Sequence, residues 1–180
     1  VQHWYGSVFV PGADLNRVLK WAQSYDDRHR YYDEVEDSRL LSKEDEAFRI
    51  FLRLRRKKVI TVHYNTEHDV TYTRHGVGRA TSRSYATKIA EIEDAGTPQE
   101  REKPVGADRG FLWRLNSYWR FEEQPEGTLV ECESVSLSRS PPFGMEWMLR
   151  SYLESVPRES LRSTLEPIRA NLAASGTPKH

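Results

Sequence analysis

The residues able to do chemistry in this chain are mostly carboxylates and histidines, and none stands in a recognised catalytic spacing. Glu91, Glu93, Glu122, Glu123, Glu131 and Glu133 fall singly or two apart in segments that alternate like strands. Carboxylates at i and i+2 share a face and can divide general-acid and general-base work. They also make an ordinary solvated sheet edge, which is the reading we favour for most of them. Glu133 is set apart because it shares the parity of Leu129, Val135 and Leu137. On that parity it points inward, where a carboxylate needs a partner, and Arg83 has the parity of the apolar set Tyr85, Thr87 and Ile89. The six histidines form no HExxH, and the lone Cys132 excludes an internal disulfide and any multi-cysteine metal site, so no metal and no cofactor are expected. His63 and His68 are five apart and should face opposite sides of one straight strand. Gly76-Val77-Gly78 begins like a dinucleotide fingerprint but has Thr81 where the third glycine belongs, and we read it as a hairpin turn. There is no GxSxG elbow and no P-loop.

Charge narrows the partners. The 180 residues carry 27 Lys+Arg against 27 Asp+Glu, a formal net charge of zero, so no overall field draws the chain to nucleic acid or anionic membrane. Arg49 to Lys58 holds six basic residues interleaved with Phe51 and Leu54. We read it as the solvent face of an amphipathic strand, paired across the sheet with Glu67, Asp69, Glu91 and Glu93, and expect no nucleic-acid partner. No apolar run approaches the ~18 residues of a bilayer span, which points to a soluble domain, with transient membrane contact left open. The chain opens on Val1, so an upstream segment is expected, a signal peptide among the options, and compartment and oligomeric state stay unassigned.

Periodicity gives the elements that must position these groups. His3 to Val10 is aromatic and β-branched and stops at Pro11-Gly12, as a strand does. Asp14 then caps a helix whose stripe is Leu15, Val18, Leu19, Ala22 and Tyr25, and Tyr25 to Asp33 forms a second short helix or turn. From Val35 to Arg139 the period is 2. Phe48, Ile50, Leu52 and Leu54 make one inward face. Ile60, Val62, Tyr64, Val70 and Tyr72 make another, followed by Phe111, Trp113, Leu115, Trp119 and Phe121, and a last strand follows the Glu126-Gly127 turn. Strands joined by short turns imply an antiparallel sheet with one face buried. The polar connection Asp94–Gly110, with Pro98, Pro104 and three glycines, is long enough to be a lid or binding loop. After Pro141-Pro142 a helical period runs from Trp147 through Leu172, interrupted at Pro157. We expect one domain over residues 1–174 and a flexible tail over 175–180.

Three stretches together resemble the START-like superfamily, also called SRPBCC. Pro11-Gly12-Ala13 through Val18-Leu19, then Tyr25-Asp26 and Tyr31 to Val35, is similar to its early helix pair. Tyr118-Trp119-Arg120-Phe121-Glu122 is similar to a late strand, and Pro141-Pro142, Trp147 and Val156 to Leu165 to the long terminal helix. The resemblance implies an α+β helix-grip fold, in which a curved antiparallel sheet of about six or seven strands wraps a long C-terminal helix. It implies a cavity between them for a lipid or other hydrophobic small molecule, with some members acting as polyketide cyclases and others as carriers. On that basis Tyr64, Tyr85, Trp113, Trp119, Trp147, Met148 and Tyr152 are the expected ligand-lining residues, with Arg83 and Glu133 as inward polar groups. The same rings could instead fill the space as a solid core. Three functions are therefore open: carriage of a hydrophobic molecule, cyclase or dehydratase chemistry in the same cavity, and a filled-core module for protein interaction.

Overall fold

Alternation of period 2 is realised as a single antiparallel sheet. In the computed structural model, which describes residues 1–57, 61–104, 107–139 and 162–173, the strands are β1 (Gln2–Pro11), β2 (Val35–Glu44), β3 (Ala47–Lys57), β4 (Thr61–Arg74), β5 (Arg79–Glu93), β6 (Arg101–Glu102), β7 (Arg114–Gln124) and β8 (Gly127–Leu137). Their order is β1-β8-β7-β5-β4-β3-β2, with the two-residue β6 pairing with β5. β2–β3, β3–β4, β4–β5 and β7–β8 pair as hairpins, β7 joins β5 across the 94–110 connection, and β1 is added at the far end against β8. The sheet therefore has one strand more than the upper sequence-based count, because of β6 inside the 94–110 connection.

Between β1 and β2 the chain leaves the sheet to build its cover. α1 (Leu15–Ala22) starts where Asp14 Oδ1 accepts from Arg17 N at 2.7 Å, an N-cap that satisfies one otherwise orphaned amide. Glu123 Oε2 accepts from Leu15 N at 3.0 Å, fastening the positive end of α1 to the tip of β7. Leu15, Val18, Leu19 and Ala22 are all buried, as the stripe requires, whereas Tyr25, also buried, lies past the end of α1 and not on it. The segment after α1 condenses into a 3-10 turn, Arg28–Arg30. A second helix, α2, occupies residues 162–172, and its Leu165, Ile168 and Leu172 join α1, Phe48, Ile50, Val70, Phe121 and Val130 in the main core. A smaller core gathers Leu54, Val62, Tyr64 and Phe111. No helix among the described residues is long and apolar enough to cross a membrane.

Two turns show why glycine is needed where it stands. Gly76 and Gly78 take φ of +74° and +77° in the β4–β5 turn, the left-handed region that side chains resist. Gly127 has no room: a Cβ there would meet the Val10 carbonyl oxygen at 2.2 Å and Pro11 Cα at 2.9 Å. The β7–β8 turn can thus lie flat on the end of β1.

The basic stripe is paired with carboxylates, but among the described residues only Glu67 of the four expected partners takes part, while Glu36, Glu100 and Glu34 hold Arg53, Arg55 and Arg56. Arg49 meets Glu67 at 2.8 Å, and Arg53 bridges Glu36 and both oxygens of Glu100. That fork, with the Gly96 amide, holds the Glu100 carboxyl down at about 2 and ties the 94–110 connection to the back of the sheet. Glu91 departs from the expected exposed edge. It is buried at 1 % exposure, accepting from Lys103 Nζ at 2.7 Å, Arg109 N at 2.8 Å and Arg109 Nε at 2.7 Å. Burial alone would raise its pKa, but these donors hold it below the usual carboxylate value.

Candidate functional site

The sheet curves over a cavity of about 260 Å³ whose walls come from every main element. Its concave floor follows the strand register. Ser84 of β5 pairs with Ser117 of β7, which pairs with Ser134 of β8, which pairs with Trp4 of β1, so three hydroxyls run in a row across the sheet. Ser82, Trp119 and Cys132 form the adjacent row, and Leu115 and Ser136 the next. All of these line the cavity, with Trp21, Tyr25, Arg28 and Tyr32 on the α1 side, Phe111 and Leu112 at the end of the 94–110 connection, and Ser163, Thr164 and Ile168 of α2. The composition is that of a ligand site, apolar walls with a few placed polar groups.

His68 is the histidine of the floor. It sits two residues from Thr66 on the buried face of β4, and its Nε2 lies 3.0 Å from Thr66 Oγ1. Thr66 donates its own proton to the Leu52 carbonyl at 3.0 Å, so its oxygen must accept from His68 Nε2–H. That fixes the tautomer. Nδ1 is left as an acceptor directed at Ser84 Oγ, 3.5 Å away. Burial pushes the His68 pKa down to about 4, so the ring is neutral at physiological pH. Its alternation with Thr66 was the available sequence signal. A histidine among residues of β propensity reads as incidental until its neighbours are known.

The sequence-derived site residues separate. Trp119 lines the cavity, its Nε1 donating to Ser117 Oγ at 3.2 Å and its ring stacked on Phe121 at 6.3 Å. Tyr64 is buried at 1 % exposure in the smaller core, packed with Leu54 and Phe111, which do line the cavity. Tyr85 is 40 % exposed on the outer face, its ring edge-on to Tyr118 at 5.9 Å. Arg83 is also outward. The reason is a bulge: Glu67 faces Lys88 but His68 faces Ala86, so Thr87 is the extra residue of β5. Ile89 and Glu91 are inward beyond it, whereas Ala80, Ser82, Ser84 and Ala86 are inward before it. Parity carried back from Ile89 through Thr87 to Tyr85 and Arg83 is therefore reversed.

Glu133 is likewise on the outer face, 2.6 Å from His3 Nε2 rather than paired with Arg83. The inward set of β8 is Thr128, Val130, Cys132, Ser134 and Ser136. The larger apolar residues Leu129, Val135 and Leu137 suggested the opposite. Small hydroxylated side chains face inward here because the floor encloses space and does not fill it. Trp113 lies outside β7, past the bend at Gly110, and is 42 % exposed between the guanidinium groups of Arg114 and Arg139 at 5.3 and 5.1 Å. Trp147, Met148 and Tyr152, the Pro157 break and the 175–180 tail lie outside the described residues. Among the described residues no group of three or more His, Cys, Asp or Glu is placed to hold a metal.

No family model matches the sequence, and no curated protein does. Solved structures match over nearly the whole chain. A Thermus thermophilus protein, TTHA0849, aligns with TM-score 0.68 at 18 % identity, covering 97 % of this chain and all of its own. A STAR-related lipid transfer protein from Xanthomonas axonopodis aligns with TM-score 0.65 at 18 % identity, over 96 % of this chain and 86 % of that one. The Zhui aromatase/cyclase from Streptomyces sp. R1128 aligns with TM-score 0.62 at 12 % identity, over 95 % and 93 %. At such identities the likeness establishes the fold, which is START-like.

Proposed function

We propose that this chain binds a hydrophobic or amphipathic small molecule, a lipid among the candidates, in the cavity under the sheet, and serves as a carrier. The observation that supports this most is the inverted floor of β8 and β5, where small serines face inward and larger side chains face out. A dry void of about 260 Å³ would cost on the order of 6 kcal/mol at ~24 cal/mol per Å³. That is a large share of the ~5–15 kcal/mol by which domains are stable. A sequence selected only for stability would close such a space. Serines instead let water occupy it when no guest is bound, and an apolar guest then gains ~25 cal/mol per Å² of buried surface. The volume lies just below the ~300–1,000 Å³ usual for ligand sites, suited to one acyl chain or a compact ring system. The Xanthomonas structure named as a lipid transfer protein has the same fold. Native mass spectrometry of the freshly purified protein, followed by solvent extraction, tests the reading: a released amphipathic molecule at one per chain supports it, and failure to take up any lipid or apolar dye after delipidation overturns it.

A second reading, cyclase-like catalysis, draws on His68. A neutral imidazole facing the cavity, with its Nε2 proton committed to Thr66 and Nδ1 left as an acceptor beside Ser84, is equipped to take a proton from an acidic C–H or O–H of a bound chain. The Streptomyces aromatase/cyclase shares the fold. Glu133 and Arg83 do not face the cavity and have no part in this reading. Turnover of a polyketide-like chain that falls ~10²–10⁴-fold in His68→Gln would favour catalysis; unchanged conversion in the variant would leave carriage alone.

A further inference from the structure

The polar groups at the α1 side of the cavity are unlike those of the floor, because one of them is a permanent cation. Arg28 opens the 3-10 turn and lines the cavity beneath α1. Its guanidinium carbon lies 5.1 Å from the Trp21 ring, 5.2 Å from Tyr25 and 5.6 Å from Tyr32, so three aromatic faces surround it. Nη2 donates to the Ala22 carbonyl at the negative end of α1, and Nη1 donates to Tyr32 Oη at 3.1 Å. Among the described residues Arg28 forms no ion pair, in a protein where Arg49, Arg53, Arg55, Arg56, Arg101, Arg109, Arg120 and Arg139 all do. The acidic residues of the same rim do not supply one: Glu34 pairs with Arg56, and Asp33 is exposed.

The proton count leaves donors to spare. Tyr72 Oη donates to Ala22 O at 3.0 Å, and so accepts from Tyr25 Oη at 2.8 Å. Both of those hydroxyl protons are used within the protein. Tyr32 Oη only accepts, from Arg28, and keeps its own proton. A guanidinium has five N–H groups and Arg28 commits two of them. Arg28 and Tyr32 therefore present unspent N–H and O–H donors, backed by a full positive charge, to a cavity whose other charged lining residues are the Glu34–Arg56 pair and the exposed Asp33.

Resting on the cavity reading above, we propose that Arg28 and Tyr32 form a head-group site, which selects amphiphiles ending in a carboxylate or a phosphate monoester. A bidentate guanidinium contact suits either oxyanion. The aromatic faces hold the cation without neutralising it, so its charge remains available to the guest.

Delipidated protein titrated at pH 7.5 with decanoate, decyl phosphate and decanol tests this, with acetate and inorganic phosphate as competitors without a tail. At least one of the two anionic amphiphiles should bind tenfold or more tighter than decanol. Acetate and phosphate at equal concentration should not displace it. Arg28→Gln should abolish the preference while decanol binding persists. Tyr32→Phe, which keeps the ring and the cation–π contact, should lower it about threefold or more, and guards against a folding defect in the Arg28 variant. Decanol binding as tightly as both anions in the native protein would overturn the head-group site and leave the cavity reading standing. Displacement by free phosphate or acetate would overturn the amphiphile assignment, and no binding of any tailed compound would overturn the cavity reading together with this one.

Discussion

Glu91→Gln removes one charge from the interior and should loosen the whole 94–110 connection. The carboxylate is fully buried and holds three donors at 2.7–2.8 Å, two of them cationic. Lys103 and Arg109 are themselves only 17 % and 32 % exposed, so solvent screens the contacts little. Hydrogen bonds to charged groups contribute ~1.5–3 kcal/mol each, and removing one partner of a buried pair costs ~3–5 kcal/mol. The amide keeps the shape and one acceptor but sets an NH₂ against a cation, so we expect a loss of about 3 kcal/mol. In a chain of this size that is a fall in Tm of roughly 6–12 °C. Urea unfolding followed by tryptophan fluorescence gives the stability, and hydrogen exchange shows where the loss falls. Amides over 94–104 and 107–112 should lose protection first, including Lys103 N, which donates to the Glu91 carbonyl. Phe111 and Leu112 belong to both this anchor and the cavity wall, so ligand affinity should fall with it. In a double-mutant cycle with Lys103→Met, a coupling energy of at least 1 kcal/mol is expected. A loss below 1 kcal/mol with unchanged exchange would refute the view that Glu91 anchors the connection.

Three other perturbations probe the floor and the sheet separately. His68 is depressed to about 4 by burial, so below its unfolded value of ~6.5 the unfolded chain takes up a proton that the folded one refuses. Stability should decline as pH falls from about 6.5 to 4, by about 3 kcal/mol in all, and a His68→Gln protein whose unfolding shows the same slope would assign it elsewhere. Gly127→Ala drives a methyl into the Val10 carbonyl and should lower Tm by several degrees at least; a melting curve superimposable on the parent's would contradict the close approach of β8 to β1. Burial pushes the Cys132 thiol up to about 12, so at pH 8 its reaction with a disulfide reagent should be on the order of 10³-fold slower than that of a free cysteine, and a rate within tenfold of the free thiol would show that the cavity floor opens readily.

Most of the scaffold was legible because its signals are local. Asp14, the Leu15–Ala22 part of the stripe, the Gly76–Gly78 turn and the alternations of β3 and β4 each follow from a few neighbouring residues and form the element implied, whereas Tyr25 falls past α1 and Phe111 and Trp113 of the last aromatic alternation fall before β7. The placement of Tyr85, Arg83 and Glu133 depended on longer-range facts. One extra residue at Thr87 reverses half of β5, and no local pattern marks it. On β8 the usual rule, larger apolar side chains inward, fails because the inner face surrounds a cavity. The residues that matter there are serines, which sequence reasoning assigns to solvent by default. Arg28 was hidden for a related reason: in a run of Tyr, Asp, Arg and His it reads as surface, and only the fold brings three rings around it.

If the serine-floored cavity receives an apolar guest, filling it from within must exclude that guest. Ser134 stands mid-row between Ser117 and Trp4, and Ser134→Phe puts a ring into that space while leaving the outer face and both cores in place. The decisive measurement is the titration of delipidated native and Ser134→Phe proteins with one fluorescent fatty-acid probe, alongside their melting temperatures. One site per chain is expected in the native protein and affinity at least tenfold lower in the variant, with Tm unchanged or raised. Equal affinity in a well-folded variant would place the probe elsewhere and contradict binding in the cavity.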